Sequence, residues 1–302
     1  MSPASDRLAV YTEAEALALV RLRYWQHLLN EMLKAGAFNI PVHLAFGHEA
    51  AAVGIDLTMQ ADDALCLTHR NGAYNLARAK SLARELEHYR LQTGDARTGE
   101  MASMNLAIAN TGIAYSSSIL GNNLAVGSGI AMNRKLLRRP GVVFVLTGDG
   151  AMEEGVFWES LIFARSHGLA LVIVLENNDF SLGSTIEQRR CPIDLSVVCS
   201  GLHINYRQAS GAELPAVKAA LQGARDEAAA GHPSVVELDI MTFNQHAGPT
   251  PGWATDPRRI ALEDGLLMGD DAADPLVQLQ VAIGAEKFDQ LAAQVRQDHH
   301  VV

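Results

Sequence analysis

Residues 141–155 read GVVFVLTGDGAMEEG, and residues 169–178 read LALVIVLENN. Each stretch carries a continuous apolar run, the pattern of a strand buried on both faces of a parallel sheet. Between them Val156, Phe157, Leu161 and Ala164 recur at helical spacing. Strand, helix and strand in about 38 residues predict a parallel βαβ unit with a right-handed crossover. A helical pattern over 213–230 and an apolar run over 234–240 continue the alternation. The fold class that follows is α/β: a parallel sheet with helices on both faces.

The first strand of the unit ends in Gly148-Asp149-Gly150. A carboxylate at the tip of a buried strand is costly to desolvate unless it has a partner. Ligands of open parallel sheets bind beyond the carboxyl ends of the strands. The βαβ geometry sets Asp149 beside Asn178, at the end of the next strand. One carboxylate and one amide oxygen are hard donors that suit Mg²⁺, an ion that keeps phosphate and water oxygens for its other positions. The flanking glycines let backbone approach a phosphate closely. A helix starting near Glu153 points its positive end at the same place. Gly-Asp-Gly alone is a common turn; the Asn177-Asn178 pair on the neighbouring tip gives the pattern its meaning. The rival nucleotide motifs are missing from the sequence. Gly127 and Gly129 are followed by Met132 where a third glycine belongs, and no GxxxxGK[ST] occurs.

Elsewhere, Leu17, Val20, Tyr24, Leu28 and Met32 place an amphipathic helix over 13–35. Residues 43–57 read as a loop entering a helix. Residues 62–78 read as a short strand, a polar turn and a helix. Residues 82–92 read as helical and 94–101 as a polar loop. The stretch 116–137 starts irregular and becomes a Gly/Ala-rich helix that another backbone can approach closely. Residues 243–253 read as a surface loop, and peripheral helices follow from about 270 to 300. No repeat, low-complexity tract or linker divides the chain, so residues 1–302 read as a single domain.

The chain has 302 residues, 48% of them apolar, and 24 basic against 34 acidic side chains, a net charge of −10. That is the composition of a soluble globular protein. The acidic balance argues against nucleic acid or an anionic membrane as the main partner. No apolar run approaches the ~18 residues of a membrane span. The start, MSPASDRLAV, lacks the pattern of a secretory signal, so a cytoplasmic setting is expected. Cys66, Cys191 and Cys199 form no CxxC and are expected as buried free thiols.

Gly-Asp-Gly, 26 residues and Asn-Asn together resemble the thiamine diphosphate motif. Over about residues 10–295 the text is similar to the α subunit of the first component of the 2-oxo acid dehydrogenase complexes. HLAFGHEAAAVG (43–54) resembles that family's HLxxGQEA segment, and THRNGAY (68–74) its segment of tyrosine or histidine plus arginine. SILGNNLAVGSG (118–129) resembles the stretch under the aminopyrimidine, ENNDFSL (176–182) the metal segment, and FNQHAGPTP (243–251) the active-site histidine loop.

The resemblance implies a pyrophosphate-type thiamine-diphosphate-binding domain. It implies Mg²⁺ held by the side chains of Asp149 and Asn178 and the carbonyl of Phe180. Gly148, Gly150 and Ala151 would form the cofactor turn. Arg70, with His69 beside it, would hold the diphosphate, for which a guanidinium fork is suited. Ser118 and Leu120 would meet the aminopyrimidine through backbone groups, with Leu120 also the wedge that keeps the cofactor bent. His246 would stand near the diphosphate and the reacting carbon as the catalytic histidine, able to give or take a proton near neutral pH. His43 and His48 read as structural.

The carboxylic acid that meets the pyrimidine ring comes, by the same resemblance, from a β subunit, in an α₂β₂ assembly. The substrate would be a small 2-oxo acid, and a lipoyl acyltransferase the onward acceptor. Ala247 stands where regulated relatives carry a phosphorylatable serine. Two other readings are compatible with the residues. GDGAMEEG also fits a pattern shared with transketolases, which admits a two-subunit transketolase-like or acyloin-forming carboligase. A non-catalytic assembly subunit is the third.

Overall fold

The computed structural model describes residues 10–38, 42–89, 107–246, 248–249 and 258–298. Six parallel strands form the sheet: β1 (Ala64–Leu67), β2 (Ile113–Ser116), β3 (Val143–Gly148), β4 (Leu171–Asn177), β7 (Asn205–Ser210) and β8 (Ser234–Asp239). Their order is β2-β1-β3-β4-β8-β7. The two short strands β5 (Phe180–Ser181) and β6 (Ser184–Thr185) make a separate antiparallel hairpin just beyond β4. The direction of chain progression reverses at β1/β3, the switch point where α/β sheets open a crevice for ligands.

Alternation along the strands divides the apolar residues between two cores. Leu65, Leu67, Phe144, Leu146, Val172, Val174, Val236 and Leu238 face one side. Ala64, Cys66, Val143, Val145, Ile173, Leu175 and Val235 face the other. The first core is closed by α1 (Glu13–Lys34), α2 (Glu49–Thr58), α3 (Gly72–Ala79) and α9 (Leu214–Ala229). The second is closed by α5 (Asn122–Leu136), α6 (Gly155–His167) and α8 (Leu195–Gly201). Helices on both faces are therefore observed, and each fully buried Phe, Leu, Ile or Val stabilises the fold by about 1.5–3 kcal/mol. The Gly/Ala-rich helix packs as its composition predicts. A Cβ on Gly127 would lie 2.3 Å from Val145 Cγ2, so only glycine lets α5 settle on β3.

The terminal segments correct the expectation of a peripheral C-terminus. Helices α10 (Pro275–Ile283) and α11 (Ala285–Asp298) bury Leu276, Leu279, Phe288, Leu291 and Val295 in the first core. Arg23 of α1, fully buried, ties three elements together. Its Nε donates to Glu49 Oε1 at 2.6 Å, its Nη2 to Asp274 Oδ1 at 2.7 Å, and its Nη1 to the Leu266 carbonyl at 2.8 Å. Burial opposes the charge on Arg23, but Glu49 and Asp274 hold its guanidinium above its ordinary range.

Other departures have local causes. A 3₁₀ turn, Asp149–Glu153, intervenes before α6, which starts at Gly155 rather than near Glu153. Cys66 and Cys199 are buried, but Cys191 is exposed. The loop after β8 is not wholly on the surface. Phe243 and Asn244 are buried, Phe243 N donates to Phe46 O at 3.0 Å, and Phe46 N donates to Asn244 Oδ1 at 3.0 Å. Gly47 makes this docking possible: its φ is +99°, and a Cβ there would lie 1.9 Å from Met241 O. The helix read over 82–92 is α4 (Leu82–Tyr89); residues 90–92, the polar loop at 94–101, Ala247 and residues 250–257 of the loop lie outside the described residues. Among the described residues no helix is long and apolar enough to cross a membrane.

Candidate functional site

The carboxyl ends of β1, β2, β3 and β4 surround a cavity of about 320 Å³. Thr68, His69 and Arg70 enter it from the turn after β1, and Ser117 to Gly121 from the turn after β2. Gly148, Gly150 and Ala151 line it after β3, and Asn178 and Phe180 after β4. His43, His48 and His246 close the side toward the docked loops. All the residues to which the resemblance gives a cofactor or metal role line this cavity except Asp149, which is buried.

The two strand tips do meet. Gly148 pairs in register with Glu176, so Asp149 and Asn178 leave the sheet from adjacent strand tips. Asp149 has a partner that the sequence did not disclose: the Arg189 guanidinium of α7 (Ile186–Arg189) donates to its Oδ2. The same guanidinium donates through Nε to Glu153 Oε1 at 2.9 Å. Burial pushes the Asp149 carboxyl above its ordinary range, and the Arg189 contact works against that rise. Asn178 turns its Nδ2 to Thr242 Oγ1 at 2.8 Å, while its Oδ1 accepts from Phe180 N at 3.2 Å.

Of the two glycines of the turn, Gly150 is required by its neighbour. A Cβ on Gly150 would lie 2.6 Å from Ser181 Oγ, so the β5–β6 hairpin rests directly on the turn. Gly148 faces open space, where a side chain would stand in the cavity.

Arg70 is buried, and its Nη1 donates to Leu44 O at 2.5 Å. Burial disfavours its charge, while the nearby Glu176 carboxylate favours it. His43, His69 and His246 form a triangle of rings, with centroids 5.0, 5.0 and 4.8 Å apart. Burial first, and the Arg70 charge second, push His69 down to about 2, His43 to about 3 and His246 to about 4. Burial and the Arg70 charge thus keep His246 neutral at pH 7. His43, read as structural, belongs to the site.

These rings make stability depend on pH. Their folded values lie below the ordinary imidazole value of about 6.5, so the unfolded chain binds more protons once pH drops beneath it. The stabilisation is complete above about pH 6.5 and is lost as pH falls toward 4 and below, with a slope of up to about 1.4 kcal/mol per pH unit for each ring. Thermal melts at pH 7.5, 6.0 and 5.0 should show a falling midpoint; an unchanged midpoint over that range would contradict neutral burial of the cluster.

Near the mouth of the cavity Ile119, Leu120, Phe180 and Leu182 are 70, 48, 53 and 64% exposed. That much apolar surface around the mouth of a cavity is unusual for a face in contact with water alone.

The sequence model of one family, the dehydrogenase E1 component, matches residues 22–259, a span that contains every one of these residues. The chain belongs to that family. Among curated members of the dehydrogenase E1 family it is 26% identical over 252 residues to the pyruvate dehydrogenase E1 component subunit alpha of Pisum sativum, covering 82% of this chain and 63% of the relative. With the Rhizobium meliloti protein of the same description it shares 23% identity over 279 residues, covering 92% of this chain and 77% of the relative. The testis-specific alpha form of Rattus norvegicus is 26% identical over 251 residues, covering 80% and 62%. The chain thus spans under two thirds of the length of several relatives it matches.

Proposed function

We propose that this chain is the α subunit of a thiamine-diphosphate- and Mg²⁺-dependent first component of a 2-oxo acid dehydrogenase. The observation that carries the reading is the adjacency of the Asp149 and Asn178 tips at a cavity that also receives Arg70. The cavity suits a polyanionic ligand with a bound cation. Thr147 Oγ1, His43 Nδ1 and His69 Nε2 are buried and have no hydrogen-bond partner among the described residues, and Thr147, His43 and His69 all line the cavity. Gly148 leaves open the space that a phosphate beside the turn requires.

In this reading Asp149, Asn178 and the Phe180 carbonyl hold Mg²⁺, and Arg70 with His69 holds the diphosphate. Gly148, Gly150 and Ala151 present the turn, and Ser118 and Leu120 meet the aminopyrimidine. Thiamine diphosphate, when bound, supplies the nucleophilic carbon and the electron sink for loss of carbon dioxide from a 2-oxo acid. The chain's own contribution is placement and charge. Arg189 shares its hold on Asp149 with the arriving cation. His246, which lines the cavity, would stand near the reacting carbon as the catalytic histidine and offer it a hydrogen-bonding nitrogen. The anion offsets the Arg70 charge that depresses the three imidazoles.

The exposed apolar rim formed by Ile119, Leu120, Phe180 and Leu182 supports a β subunit that covers the mouth and supplies the pyrimidine-facing glutamate, in an α₂β₂ assembly. The relatives' description as pyruvate dehydrogenase subunits supports pyruvate or a similar small 2-oxo acid as substrate, with a lipoyl acyltransferase receiving the acyl unit. The test is calorimetric titration of the chain with its β partner by thiamine diphosphate, with Mg²⁺ and with EDTA, followed by carbon dioxide release from a panel of 2-oxo acids. Mg²⁺-dependent binding and decarboxylation are expected; binding indifferent to EDTA, or none, would refute the assignment.

A further inference from the structure

His48 and Glu176 line the cavity, yet neither has a role in the reading above. They belong to a buried chain of hydrogen bonds that ends on Asn178. Tyr74 Oη donates to Glu176 Oε1 at 2.5 Å, and His48 Nδ1 lies 2.6 Å from the same oxygen. His48 Nε2 lies 2.7 Å from Thr242 Oγ1, which in turn accepts from Asn178 Nδ2 at 2.8 Å.

The direction of each bond follows from the donor inventory. A threonine hydroxyl has one proton. Thr242 accepts from Asn178, so its own proton is free to go to His48 Nε2. With Nε2 accepting, the ring donates from Nδ1 to Glu176, which as a carboxylate only accepts. Every donor along the path points toward Glu176, and the Asn178 amide nitrogen is drawn to that side. Its Oδ1 is left on the opposite side, the end that also accepts from Phe180 N.

We propose that His48 is a positioning residue: through Thr242 it fixes the polarity of the Asn178 carboxamide, so that oxygen rather than N–H₂ faces the divalent cation. The inference rests on the assignment of Asn178 as a cation ligand. Without an acceptor at position 48, the Thr242 hydroxyl can turn its proton toward Asn178. The amide can then rotate and present donors where the cation needs a lone pair. Glutamine at position 48 offers an N–H donor and a carbonyl acceptor, the pair of roles that the imidazole plays between Glu176 and Thr242. Leucine offers neither.

The experiment is Mn²⁺ binding by the full chain with its β partner, followed by loss of the free-ion signal in electron paramagnetic resonance, with thiamine diphosphate present. Wild type, His48→Gln, His48→Leu, Thr242→Val and the double variant His48→Leu/Thr242→Val are compared, with unfolding midpoints taken in parallel. His48→Leu and Thr242→Val should each weaken Mn²⁺ binding about tenfold, the scale of second-layer effects at metal sites. His48→Gln should stay within about threefold of wild type, and the double variant should be no weaker than the worse single one. Wild-type affinity in His48→Leu, equal losses in the Gln and Leu variants, or additive losses in the double variant would overturn the proposal. If His48→Leu does not fold, Thr242→Ser against Thr242→Val makes the same comparison, with serine retaining affinity. A wild-type protein that binds no Mn²⁺ would remove the cofactor assignment and this proposal with it. Wild-type binding that Asp149→Ala abolishes and His48→Leu leaves intact would remove the proposal alone.

Discussion

Asp149→Asn is expected to weaken Mg²⁺-dependent binding of thiamine diphosphate by at least about a hundredfold, equivalent to roughly 3 kcal/mol. Asparagine keeps the size of the side chain, and the β3–β4 ladder that pairs Gly148 with Glu176 keeps the strand tips together. It removes the negative charge, and with it the only side-chain carboxylate assigned to the cation. Arg189 makes the experiment sharper. In the variant its guanidinium keeps Glu153 and the Ser184 carbonyl as acceptors. The positive charge therefore remains beside the site while the charge that balanced it is gone. Calorimetry of the complex at saturating Mg²⁺ measures the effect, with the melting temperature as a control for folding. A dissociation constant unchanged from wild type would show that the Gly-Asp-Gly turn does not hold the cation.

The second large effect concerns the scaffold. Arg23→Leu should lower the free energy of unfolding by about 3–5 kcal/mol, the cost of leaving buried charges without a counter-ion. Glu49 would keep Gln26 Nε2 at 2.7 Å and Gly47 N at 2.9 Å. Asp274 would keep Met268 N at 2.8 Å and Leu276 N at 3.0 Å. Neither carboxylate would keep a cation, and both have side chains at 0% exposure. Urea unfolding at pH 7.5 measures the loss; a change under 1 kcal/mol would mean that the three elements are held by apolar packing alone. Because Glu49 begins α2 and lies beside Gly47, the loss should also loosen the 43–48 loop that brings His43 and His48 to the cavity.

The sequence is legible where its signals are continuous. β3, α6 and β4 were placed by two uninterrupted apolar runs around one helical period, and α9 and β8 by the same alternation. The strands at the sheet edges were not. β7 reads NYRQAS, half-buried and polar, and β2 has only four residues, so neither carries an apolar run. The β5–β6 hairpin has two residues in each strand, too few for any periodicity.

The site divides in the same way. Asp149 and Asn178 sit on adjacent tips of one βαβ unit, so local pattern reached them. The Glu176–His48 contact joins residues 128 apart, and Tyr74–Glu176 joins residues 102 apart; such pairings depend on tertiary docking. One signal was there to be read. Glu176 interrupts LVIVLEN, a strand otherwise buried, and an acidic residue in that place requires a partner by the reasoning applied to Asp149. Arg189 gave no such signal, because a second arginine follows it and either could have reached the turn.

The seating of Ser181 on Gly150 has a practical corollary for anyone who exchanges segments between homologous enzymes. Turn and hairpin are two halves of one moulded contact, in which a Cβ added at Gly150 would meet Ser181 Oγ at 2.6 Å. A transplanted hairpin with a bulkier residue at position 181, or a turn with alanine at 150, would pry apart the loops that carry Asp149 and Asn178. Residues 148–151 and 180–185 should travel together in a chimera, as a single cassette.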